Sequence, residues 1–243
     1  EIRNYRLFQD AKLTDIPRLC VVVGANGTGK STLFDVLSFL KDALSMNVTK
    51  ALARRGGWRE VVSRGHEKET IDFTLKFRLA IGGTERLVTY FLRIAQGVDN
   101  RPLVERELLR YKRGSYGAPF GFLDFSRGRG YAIVNEEDFD KPDEALTRDE
   151  QQLDSPDILA IKGLGQFERF KAASAFRAMI ENWHISDFHV SEARPSQEEG
   201  LAEHLSTRGD NLALVANSLR EHHPDRFARE IESMKRRVPG VSE

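Results

Sequence analysis

Two hydrophobic periods divide the chain. From Thr70 onward apolar and polar positions alternate, and in "TIDFTLKFRLAI" the residues Ile71, Phe73, Leu75, Phe77 and Leu79 share one side of an extended segment. A Gly82-Gly83 turn signal follows, then "ERLVTYFLRIAQG", "LVERELLRYKRG", "GFLDFSRG" and "GYAIVNEE". Strand-like runs punctuated by glycine predict an antiparallel meander. Between Lys30 and Ser45 the period is helical instead. Leu33, Val36, Leu37, Leu40 and Leu44 form one stripe, which predicts a helix of about four turns docked on a sheet. Ahead of it, "EIRNYRLFQDAKLTDIPRLCVVVG" reads as two strands with Pro17 in their connection, and Gly56-Gly57 closes the short helical piece that follows.

Beyond the meander, Glu136 to Asp157 is acid-rich and predicts a solvated linker; it lacks the oxygen-ligand spacing of a calcium loop. Ser155-Pro156 then predicts a helix start. "ILAIKGLGQFERFKAASAFRAMIENW", broken near Gly163 and Gly165, "GDNLALVANSLREHH" and "PDRFAREIESMKRRV" carry helical patterns, and Pro239-Gly240 stops the last. The expected organisation is a β-rich part over 1–135, an acidic linker over 136–157 and a mainly helical part over 158–243.

Composition changes this picture in three respects. A chain of 243 residues is long for one domain and short for two, so one two-lobed unit is expected. With 37 basic and 37 acidic residues the net charge is zero, which excludes a globally basic nucleic-acid binder and confines any such contact to a local patch. The single cysteine, Cys20, cannot form an intrachain disulfide; it fits a reducing cytoplasm and is expected to be buried in the run "RLCVVVG". No apolar run approaches the ~18 residues of a membrane helix, and the start at Glu1 reads as that of a trimmed chain or fragment.

Candidate chemistry concentrates between the predicted second strand and the first helix. Gly24, Gly29, Lys30 and Ser31 satisfy G-x-x-x-x-G-K-[ST] in the strand-to-helix setting that motif requires. Gly27 and Gly29 let the backbone curl so that consecutive N–H groups converge on phosphate oxygens. The helix beginning near Lys30 directs its free N–H groups at the same anion. Lys30 supplies a charge to the β- and γ-phosphates, the Ser31 hydroxyl a ligand to Mg²⁺, and Thr32 a further phosphate hydrogen bond. The predicted ligand is a nucleoside triphosphate with magnesium. No N-K-x-D-like stretch is present, which favours ATP over GTP.

"IRNYRLFQDAKL" followed by "VVVGANGTGKSTLFDVLSFL" resembles the opening of SMC- and RecF-like ABC-type ATPases, which begin with an I-x-N-[FY]-R strand and use a G-x-N-G-x-G-K-S-T-L loop. "RRGGWREVVSRG" is similar to the R-G-G segment after the first helix of SMC heads, and "HLSTRGDNLALVANSLREHHPDRF" with "RRVPG" to a group of RecF-like ATPases of the AAA class, many from genome-maintenance or phage-defence loci. The resemblance implies an α/β P-loop NTPase of ABC-ATPase type with a β-meander lobe and a helical segment. It implies ATP and Mg²⁺ as ligands, with Asn26, Gly27, Thr28, Gly29, Lys30, Ser31 and Thr32 on the phosphates. It places Arg6 near the phosphates, Arg55 reaching toward nucleotide or DNA, and Gln166 as the glutamine that senses Mg²⁺ and water; Lys30 and Gln166 are the catalytic candidates.

The resemblance also implies a homodimer of heads closed around ATP, with DNA or an effector such as a nuclease as partner, and no membrane. The chain departs from that pattern in its second half. No apolar strand ending in Asp-Glu and no signature segment is found: "YAIVNEE" carries Asn135 at the metal-binding position, and "HLSTRGDN" lacks the small-residue helix start. The expectation is the amino-terminal part of a head, without its hydrolytic carboxylate. A non-hydrolysing, nucleotide-gated interaction module and a P-loop kinase stay open as alternatives. The scattered histidines suggest no metal centre, and Trp58 and Trp183 read as packing residues.

Overall fold

Alternation and glycine turns translate directly into strand pairing. The computed structural model describes residues 1–112, 118–134, 142, 145–186, 200, 202 and 204–238. Within them lie β1 (Ile2–Tyr5), β2 (Phe8–Ala11), α1 (Lys30–Ser45), α2 (Val48–Ala53), α3 (Trp58–Val61), β3 (Ile71–Ile81), β4 (Thr84–Gln96), β5 (Pro102–Tyr111), β6 (Phe120–Ser126), β7 (Arg129–Ile133), β8 (Arg148–Gln152), α4 (Ala160–Leu164), α5 (Lys171–Glu181), α6 (Leu212–His222) and α7 (Pro224–Arg237). The strands form one eight-stranded antiparallel sheet in the order β2-β1-β3-β4-β5-β6-β7-β8. The protein is therefore an α/β fold.

The chain divides into two units, Glu1–Trp183 and His184–Glu243. In the first, β3 and β4 are joined through Gly82 and Gly83, both at positive φ, with Ile81 opposite Thr84. That is the left-handed two-residue turn whose twist matches a hairpin. Asp72 and Arg93 face each other across the pair, and a two-pronged contact of 2.9 and 2.6 Å neutralises the buried carboxylate. The stripe of α1 (Val36, Phe39, Leu40, Ala43, Leu44) is buried. Tyr5, Phe39 and Phe73 join strand and helix through ring centroids 5.4–5.7 Å apart. On α5, Phe176 packs against Tyr90 at 4.5 Å.

The hairpin β1–β2 is pinned from below by a buried asparagine. Asn4, at φ 55°, donates to the carbonyls of His66 and Thr70 at 3.1 Å and accepts from Ser63 N at 3.2 Å. Its tip, Arg6-Leu7, is tied to the end of α3 by Arg6 N donating to Val61 O at 2.6 Å. These bonds fix the strand against which the glycine loop rests.

In the second unit, α6 and α7 follow one another directly, with Pro224 opening α7. Asn211 closes the preceding turn by accepting from Ser206 N at 2.7 Å and donating to His204 O at 3.0 Å. No residue of these two helices is buried. Among the described residues no helix is long and apolar enough to cross a membrane.

Four expectations are corrected. "RLCVVVG" forms no strand: Val21 and Val23 are 76% and 85% exposed, and Cys20 is exposed instead of buried. β-branched residues favour a strand only where a neighbour takes their N–H and C=O groups, and no strand of the described sheet runs beside this segment. The acidic stretch is not a linker throughout, because Arg148–Gln152 pairs with β7 as the sheet's edge strand. Polar sequence is compatible with an edge, which faces solvent. The boundary between units falls at Trp183/His184, so α4 and α5 belong with the sheet. Finally, the helix begins at Ala160, not at Ser155-Pro156; Ser155 Oγ instead bonds Asp157 at 2.6 Å in the preceding turn. Of "YAIVNEE", residues 131–133 lie in β7 and 135–137 lie outside the described residues, as does much of 135–144.

Candidate nucleotide site

The glycine loop lies open between the exposed segment and α1. Gly24 to Thr28 are exposed, and Gly27 and Gly29 adopt φ 81° and 94°, the left-handed region that lets the backbone curl without a Cβ penalty. Gly29 is also tightly placed. A Cβ there would stand 2.8 Å from Phe8 Cε1, so the β1–β2 hairpin packs directly against the loop's last glycine. Gly29 precedes α1 and supplies no side-chain cap. The helix's own bonds begin with Leu33 N on Gly29 O at 2.9 Å, which leaves the N–H groups of Lys30, Ser31 and Thr32 without intrahelical acceptors.

Lys30 reaches back over the loop and donates to the carbonyls of Gly24 and Ala25, each at 2.7 Å. Thr28 Oγ1 donates to Ala25 O at 2.9 Å, closing the turn from the other side. The ammonium therefore stands across the mouth where the free N–H groups converge. Ser31 is exposed next to it, and Thr32 is buried. No carboxylate belongs to residues 24–32. This donor set suits an anion with several oxygens: N–H groups, a cation, and a hydroxyl positioned to meet a hard cation bound to that anion. A triphosphate with Mg²⁺ fits this donor set; Asn26 to Thr32 are the residues that would hold it, and the Ser31 hydroxyl the group that would meet the metal.

Behind the mouth lies an ion network that the sequence reading did not anticipate. Asp35 on α1 accepts from the Tyr5 hydroxyl at 2.8 Å, meets Arg6 Nε at 2.9 Å and accepts from Arg55 Nε at 2.9 Å. Asp42, two turns on, accepts from Arg55 Nη1 at 2.7 Å and Arg54 Nη1 at 2.9 Å. Arg55 also lies over the Phe39 ring at 5.4 Å and its side chain is only 7% exposed. Burial, with the Asp35 carboxylate beside it, pushes the Tyr5 hydroxyl pKa upward, so Tyr5 stays a neutral donor. The network joins β1, the hairpin tip, α1 and the turn after α2.

The structure thus gathers Asn26 to Thr32 in one place and sets Arg6 behind them on Asp35. The guanidinium of Arg55 is spent on two carboxylates and not on an open surface. Gln166 sits in the turn after α4, exposed, donating to Lys162 O at 3.2 Å; this contact is local and does not reach the loop. Trp58 is buried and donates to Glu67 O at 2.9 Å, a packing role. The one signal the sequence held for Asp35 and Asp42 is their spacing of seven residues, two turns along one side of the helix.

A curled loop whose recognition groups are main-chain N–H, one ammonium and one hydroxyl is the phosphate grip of a P-loop NTPase. Residues 19–170 match the family described as "AAA domain, putative AbiEii toxin, Type IV TA system". That span is more than half of the 243 residues, and the chain belongs to this AAA family of nucleotide-binding ATPase domains. No curated protein and no solved structure matches the chain.

Proposed function

We propose that the protein is an ATP- and Mg²⁺-binding head of the ABC type, similar to RecF and SMC heads, in which nucleotide binding brings two copies together and hydrolysis separates them. The observation that carries this reading is the mouth formed by Gly24 to Thr32. Its N–H groups would receive the phosphates, Lys30 would move from its two carbonyls onto the terminal phosphates, and the Ser31 hydroxyl would meet the metal. The I-x-N-Y-R strand and the Asn26-Gly27 form of the loop support the ABC type. The closed pair is proposed to clamp DNA or to license an effector such as a nuclease. The toxin of a toxin–antitoxin system in the family's description supports a defence setting over a housekeeping one. The eight-stranded antiparallel sheet speaks against a kinase, which needs an acceptor pocket beside the loop.

A second reading, a nucleotide-gated module that binds without hydrolysing, draws support from Asp35. This carboxylate, the first in the chain after the loop, is engaged by two arginines and a tyrosine, so it is not free to act as a base. Sedimentation of the protein with ATP, ADP and no nucleotide, run beside a phosphate-release assay, separates the two readings. Association with ATP and phosphate release together support the hydrolysing head. Association with ATP but no release supports the gated module. A monomer in all three conditions rejects the dimerising head.

A further inference from the structure

We infer that Asp35 is a positioning residue that parks Arg6 behind the phosphate loop until a triphosphate draws the arginine away. This rests on the reading of residues 24–32 as a triphosphate site. Arg6 occupies the tip of the β1–β2 hairpin in a left-handed conformation, φ 49°, and two residues on, Phe8 packs on Gly29. The arginine therefore springs from the structure that supports the loop. Asp35 lies five residues past Lys30, about 7.5 Å along the helix axis.

The two arginines on Asp35 are held differently. Arg55 makes aligned hydrogen bonds to Asp35, to Asp42 and to Ala51 O at 2.9, 2.7 and 2.9 Å, and is almost fully enclosed. Arg6 Nε approaches Asp35 Oδ2 to 2.9 Å, yet its N–H points off the line and the buried atom makes no hydrogen bond. The Arg6 side chain as a whole is 36% exposed. An under-satisfied guanidinium gains from any oxygen anion that meets it squarely. Asp35 loses little when Arg6 departs, because Tyr5 and Arg55 still occupy both of its oxygens. Arg55 is the strut and Arg6 the movable cation.

Parking has a definite sign. While Asp35 holds Arg6 it competes with the terminal phosphate, and its own charge repels the polyphosphate. Asp35→Asn keeps an acceptor oxygen for Tyr5, sets its amide N–H₂ against Arg55 Nε while Asp42 and Ala51 O still hold the rest of that guanidinium, and releases Arg6. Measured by calorimetric titration, this variant is expected to bind ATP more tightly than the wild type, by roughly threefold or more, with a smaller change for ADP. The gain is expected to vanish in the Arg6→Ala/Asp35→Asn pair. It is expected to be smaller in Asp42→Asn, which removes an equal charge further along α1 and leaves Arg6 in place. A folded Asp35→Asn protein whose ATP affinity is unchanged or lower overturns the inference, as does a gain that persists without Arg6.

If Asp35→Asn does not fold, a crystal structure of the wild type with ATP and Mg²⁺ decides the matter: Arg6 Nε must have left Asp35 Oδ2, and an Arg6 still on Asp35 beside a bound triphosphate rejects the inference. Lys30→Ala in the same series separates the two levels: if it leaves ATP affinity untouched, the site itself is misassigned. If it weakens binding while Asp35→Asn shows no gain, only the parking fails.

Discussion

Lys30→Ala is expected to lose at least tenfold in ATP affinity while keeping its thermal unfolding close to that of the wild type. The ammonium makes charge-assisted contacts, each worth roughly 1.5–3 kcal/mol. In the structure it is satisfied by two carbonyls of its own loop, Gly24 and Ala25, at 2.7 Å. Those carbonyls are exposed and turn to water when the lysine is removed, so the fold loses little. A bound triphosphate has no such replacement, because the other donors at the mouth are neutral N–H and hydroxyl groups. Calorimetric titration with ATP and Mg²⁺ reads the first quantity and a melting curve the second. Equal affinity in variant and wild type would place the phosphates elsewhere.

The second large effect lies in the core, at Glu107 on β5. This carboxyl is fully buried and caps the first turn of α4: Ala160 N donates to it at 2.5 Å, Ile161 N at 3.2 Å and the Tyr90 hydroxyl at 3.0 Å. Burial pushes its pKa up from 4.5 to about 7, against the pull of the two N–H groups and Tyr90. The folded state therefore keeps a proton that the unfolded chain releases above about pH 4.5. The associated stability is fully present below that pH and is lost as pH rises through about 7, a difference of about 3 kcal/mol.

Chemical denaturation from pH 5 to 8 is thus expected to show a falling stability in the wild type. Glu107→Gln has no proton to lose over this range and keeps an amide oxygen to accept from the first turn of α4, and is expected to flatten that fall. Glu107→Ala strands two N–H groups and a hydroxyl in the core, and is expected to cost about 3 kcal/mol or more at any pH. A Gln variant with the same pH slope as the wild type would assign the slope to other groups.

The β-meander was legible because its apolar residues alternate and its turns carry glycine; Gly82-Gly83 marks the β3–β4 hairpin by composition alone. The helix of the phosphate loop was legible to its last residue, Lys30–Ser45, from its stripe. Glu107 was not, because "LVERELLRYKRG" mixes charges as a solvated strand does. Bulges at Arg93/Ile94 and Leu109/Arg110 also shift the register that alternation assumes. The exposed Val21 and Val23 show the limit from the other side. Strand propensity is a property of residues, whereas a strand needs a neighbour. Motif spacing pointed to Asn26 to Thr32 as one loop, but could not show that Arg6 and Arg55 converge on Asp35, because that contact joins residues far apart in the chain.

The most direct measurement is a crystal structure of the protein with ATP and magnesium. The β-phosphate is expected among the N–H groups of Gly27 to Lys30, with Lys30 Nζ moved from the carbonyls of Gly24 and Ala25 onto phosphate oxygens and Ser31 on the metal. Nucleotide bound away from this mouth, or a Lys30 still on its two carbonyls beside a bound triphosphate, contradicts the account.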